Sequence, residues 1–300
     1  MSNNLNQPNK IKYFLPPFIV RFLNSAKSYI EFLKCKDHVI ANKKFKDIHK
    51  GKRCFVIGSG PSVNDFDLTL IKDEILIGLN SFYIHPQFKT IFSDTNEKYM
   101  LSSPLHGPDD AWTEEKWKEM LQEAELNLTK NCTLFYGLNN YQPNAQEIID
   151  KNNLFKGYKI NYYFSSRVED DWYLPKLEHI DFSSNLWSAS TSSVLGILLA
   201  LYMGFDEIYL IGVDNSNISL PKDNPRFMKG GVGHENEVKI SESETFSLNY
   251  FTSYHLSRTL KQYEFMNMLC VNNKIYNCSK SSMADMFPYV DYYEIIETKK

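Results

Sequence analysis

Arg53-Cys54-Phe55-Val56-Ile57-Gly58-Ser59-Gly60-Pro61-Ser62 is the stretch that decides the fold class. Cys-Phe-Val-Ile shows no polar alternation, so it reads as a strand buried on both faces, the habit of parallel sheets. Two glycines and a proline then end the strand and turn the chain. Working outward, Asp206–Asp214 is a second core strand, closing on an acid. Thr191–Met203 before it is a nearly all-apolar helix, too short to span a bilayer and therefore a buried core helix. Gly204 suits the residue just past its end.

Glu74–Leu79 and Lys89–Ser93 are two further short apolar runs, and Thr133–Tyr136 is another strand candidate. Trp112–Glu123 reads as a helix, Ser247–Cys270 as a long helix, and Lys274–Asn277 as a last short strand. Strands alternating with helices give an α/β fold with a doubly wound, mostly parallel sheet. Residues 215–246 carry Gly230, Gly231, Gly233, Pro221 and Pro225 without periodicity, as expected of a lid or loop.

A hydrophobic share of 43% with 23% charged residues excludes a chain disordered along most of its length. The net charge of -3 hides an asymmetry. Residues 1–53 hold 12 Lys/Arg against three acids, while the remainder is acidic, which points to an anionic partner surface for the leader. From Pro17 to Cys35, Phe18, Ile19, Phe22, Leu23, Ala26, Tyr29, Ile30 and Leu33 recur at helical spacing, with Arg21, Lys27 and Lys34 between them. Two readings fit equally: a helix lying in a membrane plane, or one packed on the body of the protein. Five scattered cysteines without a C-x-x-C pair indicate neither a disulfide framework nor a zinc site, and fit a reducing compartment. No apolar run reaches the length of a membrane span and no signal-peptide pattern opens the chain.

Three constellations carry chemistry. Gly58-Ser59-Gly60-Pro61-Ser62 is a generic anion turn, because the third glycine of a dinucleotide fingerprint and the lysine of a P-loop are missing. A tight turn without ligand fits it as well. Gly212-Val213-Asp214 puts an acid at the carboxyl end of a central strand, where ribose hydroxyls bind in open α/β sheets, although turn aspartates are common there too. Thr191-Ser192-Ser193 opens the buried helix and suits either an anion or plain capping. Asp65-Phe66-Asp67 has the form of a D-x-D metal motif, but Asp67 is better placed to cap a short helix over Leu68–Ile71, so no metal ligand is assigned. His38, His49, His85, His106 and His179 stand in polar or turn settings. His234, in the glycine-rich loop, and His255, on the helix after it, are the candidate general bases.

Taken together, Val56–Ser62, Asn80-Ser81-Phe82-Tyr83, the block Thr191–Gly204, Glu207–Leu210 and Gly212–Asp214 resemble the bacterial lipo-oligosaccharide sialyltransferases and the broader MptE-like group. The tail, Lys274–Asn277 with Met286-Phe287-Pro288, looks more like the broader group. The resemblance covers roughly residues 52–290. It implies a Rossmann-like, GT-A-like sialyltransferase fold with a lid over residues 215–246. Residues 1–50 would be a basic amphipathic leader and residues 51–300 a catalytic domain. It further implies a metal-independent, inverting glycosyltransferase that takes a nonulosonate from a CMP donor to a hydroxyl of a cell-surface glycan, with no cofactor besides that donor.

Carried across, Gly58, Ser59, Gly60, Pro61 and Asn80 line the donor pocket, and Asp94 falls where the family has a donor-facing Asn. Ser192 with Thr191 holds the donor carboxylate, and Gly212 and Asp214 lie along the ribose. The expected setting is the inner face of the cell membrane, reached through the N-terminal helix, with no nucleic-acid partner and a homo-oligomer left open. Departures are present as well. The family's turn Asn is Ser59, its Arg is Ala189, and its lid tyrosines have no counterpart in residues 215–246, where Arg226 or Lys229 supplies charge instead. Its base histidine aligns with Tyr254, one position from His255. The alternatives are an ATP-dependent, MptE-like pyrophosphokinase and an inactive nucleotide-sugar-binding scaffold.

Overall fold

The computed structural model describes residues 15–93, 97–106, 112–165, 179–186, 188–215, 248–270 and 274–298. The strands among them are β1 (Arg53–Ile57), β2 (Ile75–Leu79), β3 (Lys98–Ser102), β4 (Thr133–Leu138), β5 (Lys159–Ser165), β6 (Asn185–Leu186), β7 (Glu207–Ile211) and β8 (Lys274–Asn277). Helices are α1 (Pro17–Val39), α2 (Phe88–Phe92), α3 (Glu114–Asn127), α4 (Ala145–Asn152), α5 (Ser192–Tyr202), α6 (Leu248–Leu269) and α7 (Tyr292–Glu297). The strands form one sheet in the order β6-β5-β4-β3-β2-β1-β7-β8, and every pairing is parallel. This is the doubly wound α/β architecture expected from the sequence.

Side-chain alternation along β1 explains its unbroken apolar run. Phe55 and Ile57 face one side with Tyr209 and Ile211, under a layer built from α2, α3, α4 and α7. Cys54 and Val56 face the other side with Ile208 and Leu210, under α5 and α6. With both faces covered, β1 and β7 have no solvent side to carry polar residues. α5 is apolar all round because it lies between the sheet and α6, with Val194, Ile197 and Leu198 in the core beside Tyr263 and Met266. Gly204, at φ +83°, ends it. The N–H of Phe205 returns to Ala200 O at 3.2 Å, a left-handed closure that glycine permits without strain.

Two boundaries need correction, and the short apolar run Lys89–Ser93 belongs to a helix: Phe88, Ile91 and Phe92, at i, i+3 and i+4, are buried on one face of α2. Short apolar runs do not by themselves separate the two periods. The helix read from Trp112 starts at Glu114, because Thr113 caps it through Lys116 N–H. The strand read to Asp214 ends at Ile211, leaving the acid three residues past it in the turn. Strands β3, β5 and β6 went unread. β3 opens on Lys98, a residue that argues against a central strand, yet it is buried because its Nζ donates to the carbonyls of Lys72 (2.5 Å) and Glu74 (2.6 Å).

The Lys-rich stretch 43–50 folds back onto the body. The N–H groups of Asp47 and His49 donate to Tyr202 O (3.1 Å) and Met203 O (2.9 Å). His49, expected in a polar setting, is fully buried with Nε2 2.8 Å from Tyr99 Oη. α1 packs on β5 and β6 through Ser28, Phe32 and Val39, all buried. Most of the large apolar residues that define its sequence stripe are exposed.

Candidate functional site

From β1 the strand order steps across the sheet to β6 on one side, while β7 and β8 are added on the other, so connections leave β1 and β7 toward opposite sides. At such a switch point the loops past the carboxyl ends part and open a crevice, the usual ligand site of open α/β sheets. Gly58–Ser62 follows β1 and Gly212–Asp214 follows β7, so the topology brings these two sequence constellations side by side.

Their contact is closer than a shared crevice requires. The N–H groups of Gly58 and Gly60 donate to Ile211 O and Gly212 O, each at 2.8 Å. Ser62 N–H donates to Asp214 Oδ2 at 2.8 Å, and Ser62 Oγ–H donates to Asp214 Oδ1. The turn does bind an anion, and among the described residues that anion is the side chain of Asp214. Ser62 Oγ also lies 2.7 Å from Ser279 Oγ, past the end of β8. Met283 N–H donates to Asp214 O at 2.9 Å. This loop over the carboxylate leaves it only 3% exposed. Burial pushes the Asp214 carboxyl above its ordinary range, the two Ser62 bonds pull it back, and the charge of Asp65 adds to the rise.

The same contacts account for the glycines. A Cβ on Gly58 would sit 2.4 Å from Gly212 O, and one on Gly60 would sit 2.5 Å from Asp214 Oδ2. Gly60 has φ -68°, open to any residue, so space and not conformation demands glycine there.

A second cluster lies at the ends of β2 and β3. Asn80 holds φ +49°, a left-handed conformation that asparagine tolerates better than most residues. Its Nδ2 donates to Ser192 Oγ at 2.9 Å, and its Oδ1 accepts from Ser103 N–H at 3.2 Å. One side chain thereby joins the loop after β2, the loop after β3 and the head of α5. Thr191 is the N-cap, its hydroxyl accepting from Val194 N–H at 3.5 Å and lying 2.8 Å from Ser193 Oγ. Ser193 Oγ in turn bonds Tyr263 Oη on α6. The amides of Ser192 and Ser193 head the helix, where no carbonyl four residues back belongs to it, so positive potential and two hydroxyls converge at one point. A void of about 10 Å³ under Asn80, lined also by Tyr83, Met100, Ser102 and Tyr136, is of water size.

α6 closes this side. Ser190 N–H donates to Gln262 Oε1 at 2.9 Å, and Ser190 Oγ lies 2.9 Å from Thr259 Oγ1. His255, half-buried, is four residues before Thr259 and seven before Gln262, on the helix face that meets the loop before α5. Tyr254 next to it is 36% exposed and stands edge-on to the His255 ring at 5.7 Å. His234, Asp94 and nearly all of the expected lid lie outside the described residues. Ser59 and Pro61 lie on the β1 turn as its partly exposed rim. Asp67 caps the short helix Leu68–Ile71, accepting from Thr69 N–H at 3.1 Å and Thr69 Oγ1 at 2.6 Å. Among the described residues no three His, Cys, Asp or Glu side chains converge as a metal site.

Sequence reasoning left Ser62 as part of a turn and passed over Ser103 and Ser279. The available signal was a serine in the loops after β1, β3 and β8, but serine is common in every loop.

No protein-family model matches this chain, and no curated protein matches it in sequence. Among solved structures, the sialyltransferase CstII from Campylobacter jejuni with the substrate analogue CMP-3FNeuAc aligns at 16% identity and a TM-score of 0.41, over 79% of this chain and 86% of that one. The same enzyme with cytidine-5'-monophosphate aligns at 17% and 0.40, over 80% and 85%. An alpha-2,3-sialyltransferase from Campylobacter jejuni in apo form aligns at 13% and 0.34, over 79% of each chain.

Proposed function

We propose that this chain is an inverting glycosyltransferase that moves a nonulosonate from a CMP donor to a glycan hydroxyl. The observation that carries the reading is the 2.9 Å bond between Asn80 and Ser192. Two residues 112 positions apart, which the sequence resemblance separately assigns to a donor pocket, meet at the head of a buried helix beside the switch point. A donor carboxylate suits that place. Helix-head amides and the Thr191 and Ser192 hydroxyls would accept its charge at little reorganisation cost.

In the proposed reaction the acceptor oxygen attacks the anomeric carbon as the bond from that carbon to the phosphate oxygen breaks, and CMP leaves. His255, with His234 as the other candidate, takes the hydroxyl proton, a task that suits an imidazole near neutral pH. Asp214 acts from beneath the site. With both oxygens engaged by Ser62, it fixes the β1 turn on which the nucleotide would rest. That engagement also disfavours a pyrophosphokinase, in which Asp214 would ligate a metal. In this reading backbone amides, hydroxyls and a lid cation neutralise the leaving phosphate, so the transfer needs no metal.

The test is a thermal-melt series with CMP, UDP, GDP and ATP, followed by a CMP-sialic acid turnover assay. CMP is expected to raise the melting temperature of the wild type. Ser192→Ala is expected to keep the unliganded melting temperature and to lose roughly tenfold or more in turnover. Stabilisation by ATP alone would sink the reading, as would a Ser192→Ala variant with wild-type turnover.

A further inference from the structure

α1 carries an apolar face that nothing among the described residues covers. Phe18 and Phe22 are each 71% exposed, Ile30 58%, Tyr29 53%, Leu23 52% and Leu33 46%. These residues lie on one broad side of the helix, at i, i+4, i+5, i+11, i+12 and i+15, away from the side that holds Ser28, Phe32 and Val39 against the sheet. A monomeric soluble protein seldom leaves so many large apolar side chains together in water.

The helix is also fixed in place. Ser28 Oγ and the Asn185 side chain exchange hydrogen bonds at 2.8 and 3.1 Å. Phe32 packs on Phe164 with ring centroids 6.0 Å apart, His38 meets Tyr162 edge-on, and Asn42 Nδ2 donates to Tyr162 O at 2.7 Å. Ser28 and Phe32 both stand level with Phe164, which pairs with Asn185, and His38 and Asn42 both stand level with Tyr162, so α1 crosses β5 and β6 obliquely.

We propose that this face of α1 docks on an anionic phospholipid bilayer. Charge complementarity selects lipid over a second copy of the chain. Residues 15–53 hold ten Lys and Arg against three acids, and Lys27, Lys34, Lys36, Lys43, Lys44 and Lys46 are exposed around or just after the apolar face. Two such basic surfaces would repel each other, whereas anionic headgroups attract both.

The experiment is co-sedimentation of the full chain with vesicles of pure phosphatidylcholine and with vesicles in which about a third of the lipid is phosphatidylglycerol. The wild type is expected to bind the anionic vesicles at least tenfold better, and to lose much of that advantage in high salt. Phe18→Ser with Phe22→Ser, at exposed positions, is expected to keep the melting temperature and lose roughly tenfold or more in binding. Three results would overturn the proposal: no vesicle binding by the wild type, unchanged binding by the double variant, or a wild-type dimer in light scattering that the double variant converts to monomer. None of these readouts depends on transferase activity.

Discussion

Replacing Asp214 with alanine separates a carboxylate that serves the fold from one that serves a ligand. In the native protein its two oxygens accept from Ser62 N–H at 2.8 Å and from the Ser62 hydroxyl. Hydrogen bonds to a charged acceptor are each worth about 1.5–3 kcal/mol. Part of that gain is offset already, since burial of the carboxylate raises its pKa against the pull of Ser62. Truncation relieves the desolvation but leaves the N–H of Ser62, itself 5% exposed, short of its acceptor, while the Ser62 hydroxyl keeps only Ser279 Oγ. The net loss worked from these terms is about 2–4 kcal/mol, roughly 3–6 °C in melting temperature for a chain of this size. The assay is urea and thermal denaturation of ligand-free protein, with Ser62→Ala and the double variant completing a cycle. A coupling of about 1–2 kcal/mol is expected between the two positions. If Asp214→Ala stays within about 0.5 kcal/mol of the wild type without ligand, the carboxylate is not the anion of the β1 turn and the reasoning fails.

Two further outcomes follow from the same geometry and its surroundings. Gly60→Ala places a methyl 2.5 Å from Asp214 Oδ2 and 2.7 Å from Gly212 O, so overpacking should cost about 1–3 kcal/mol in the absence of any nucleotide; an alanine variant as stable as the wild type would show that the two turns are not in contact. Burial lowers the His49 pKa from its ordinary 6.5 against the partial opposition of Glu97, whose carboxylate is 3.3 Å from Nδ1 but not aligned to bond it. With the folded value below the unfolded one, the contribution is complete above about pH 6.5 and is lost as pH falls through that value toward the folded pKa. Melting temperatures measured from about pH 8 to 5 should fall less steeply for His49→Gln than for the wild type; equal slopes would assign the acid sensitivity to other groups.

The amino-acid sequence by itself determined the parallel α/β sheet, the two central strands, the buried helix between them and its end at Gly204. Each of these is written in local terms: an unbroken apolar run, a hydroxyl cap, a glycine where φ turns positive. Lys98 shows where local reading stops, because a lysine is unfavourable in a central strand until two carbonyls from another segment are placed around its ammonium group. The stripe on α1 was equally legible, but periodicity states only that one face is apolar. Contact with β5 and β6 decided which residues are buried and left the rest in solvent. Tertiary structure alone decided that Asp214 closes on Ser62 and that Asn80 meets Ser192. Those partners lie 152 and 112 residues apart, and what joins them is strand order at the switch point, a long-range choice that no run of neighbouring residues encodes.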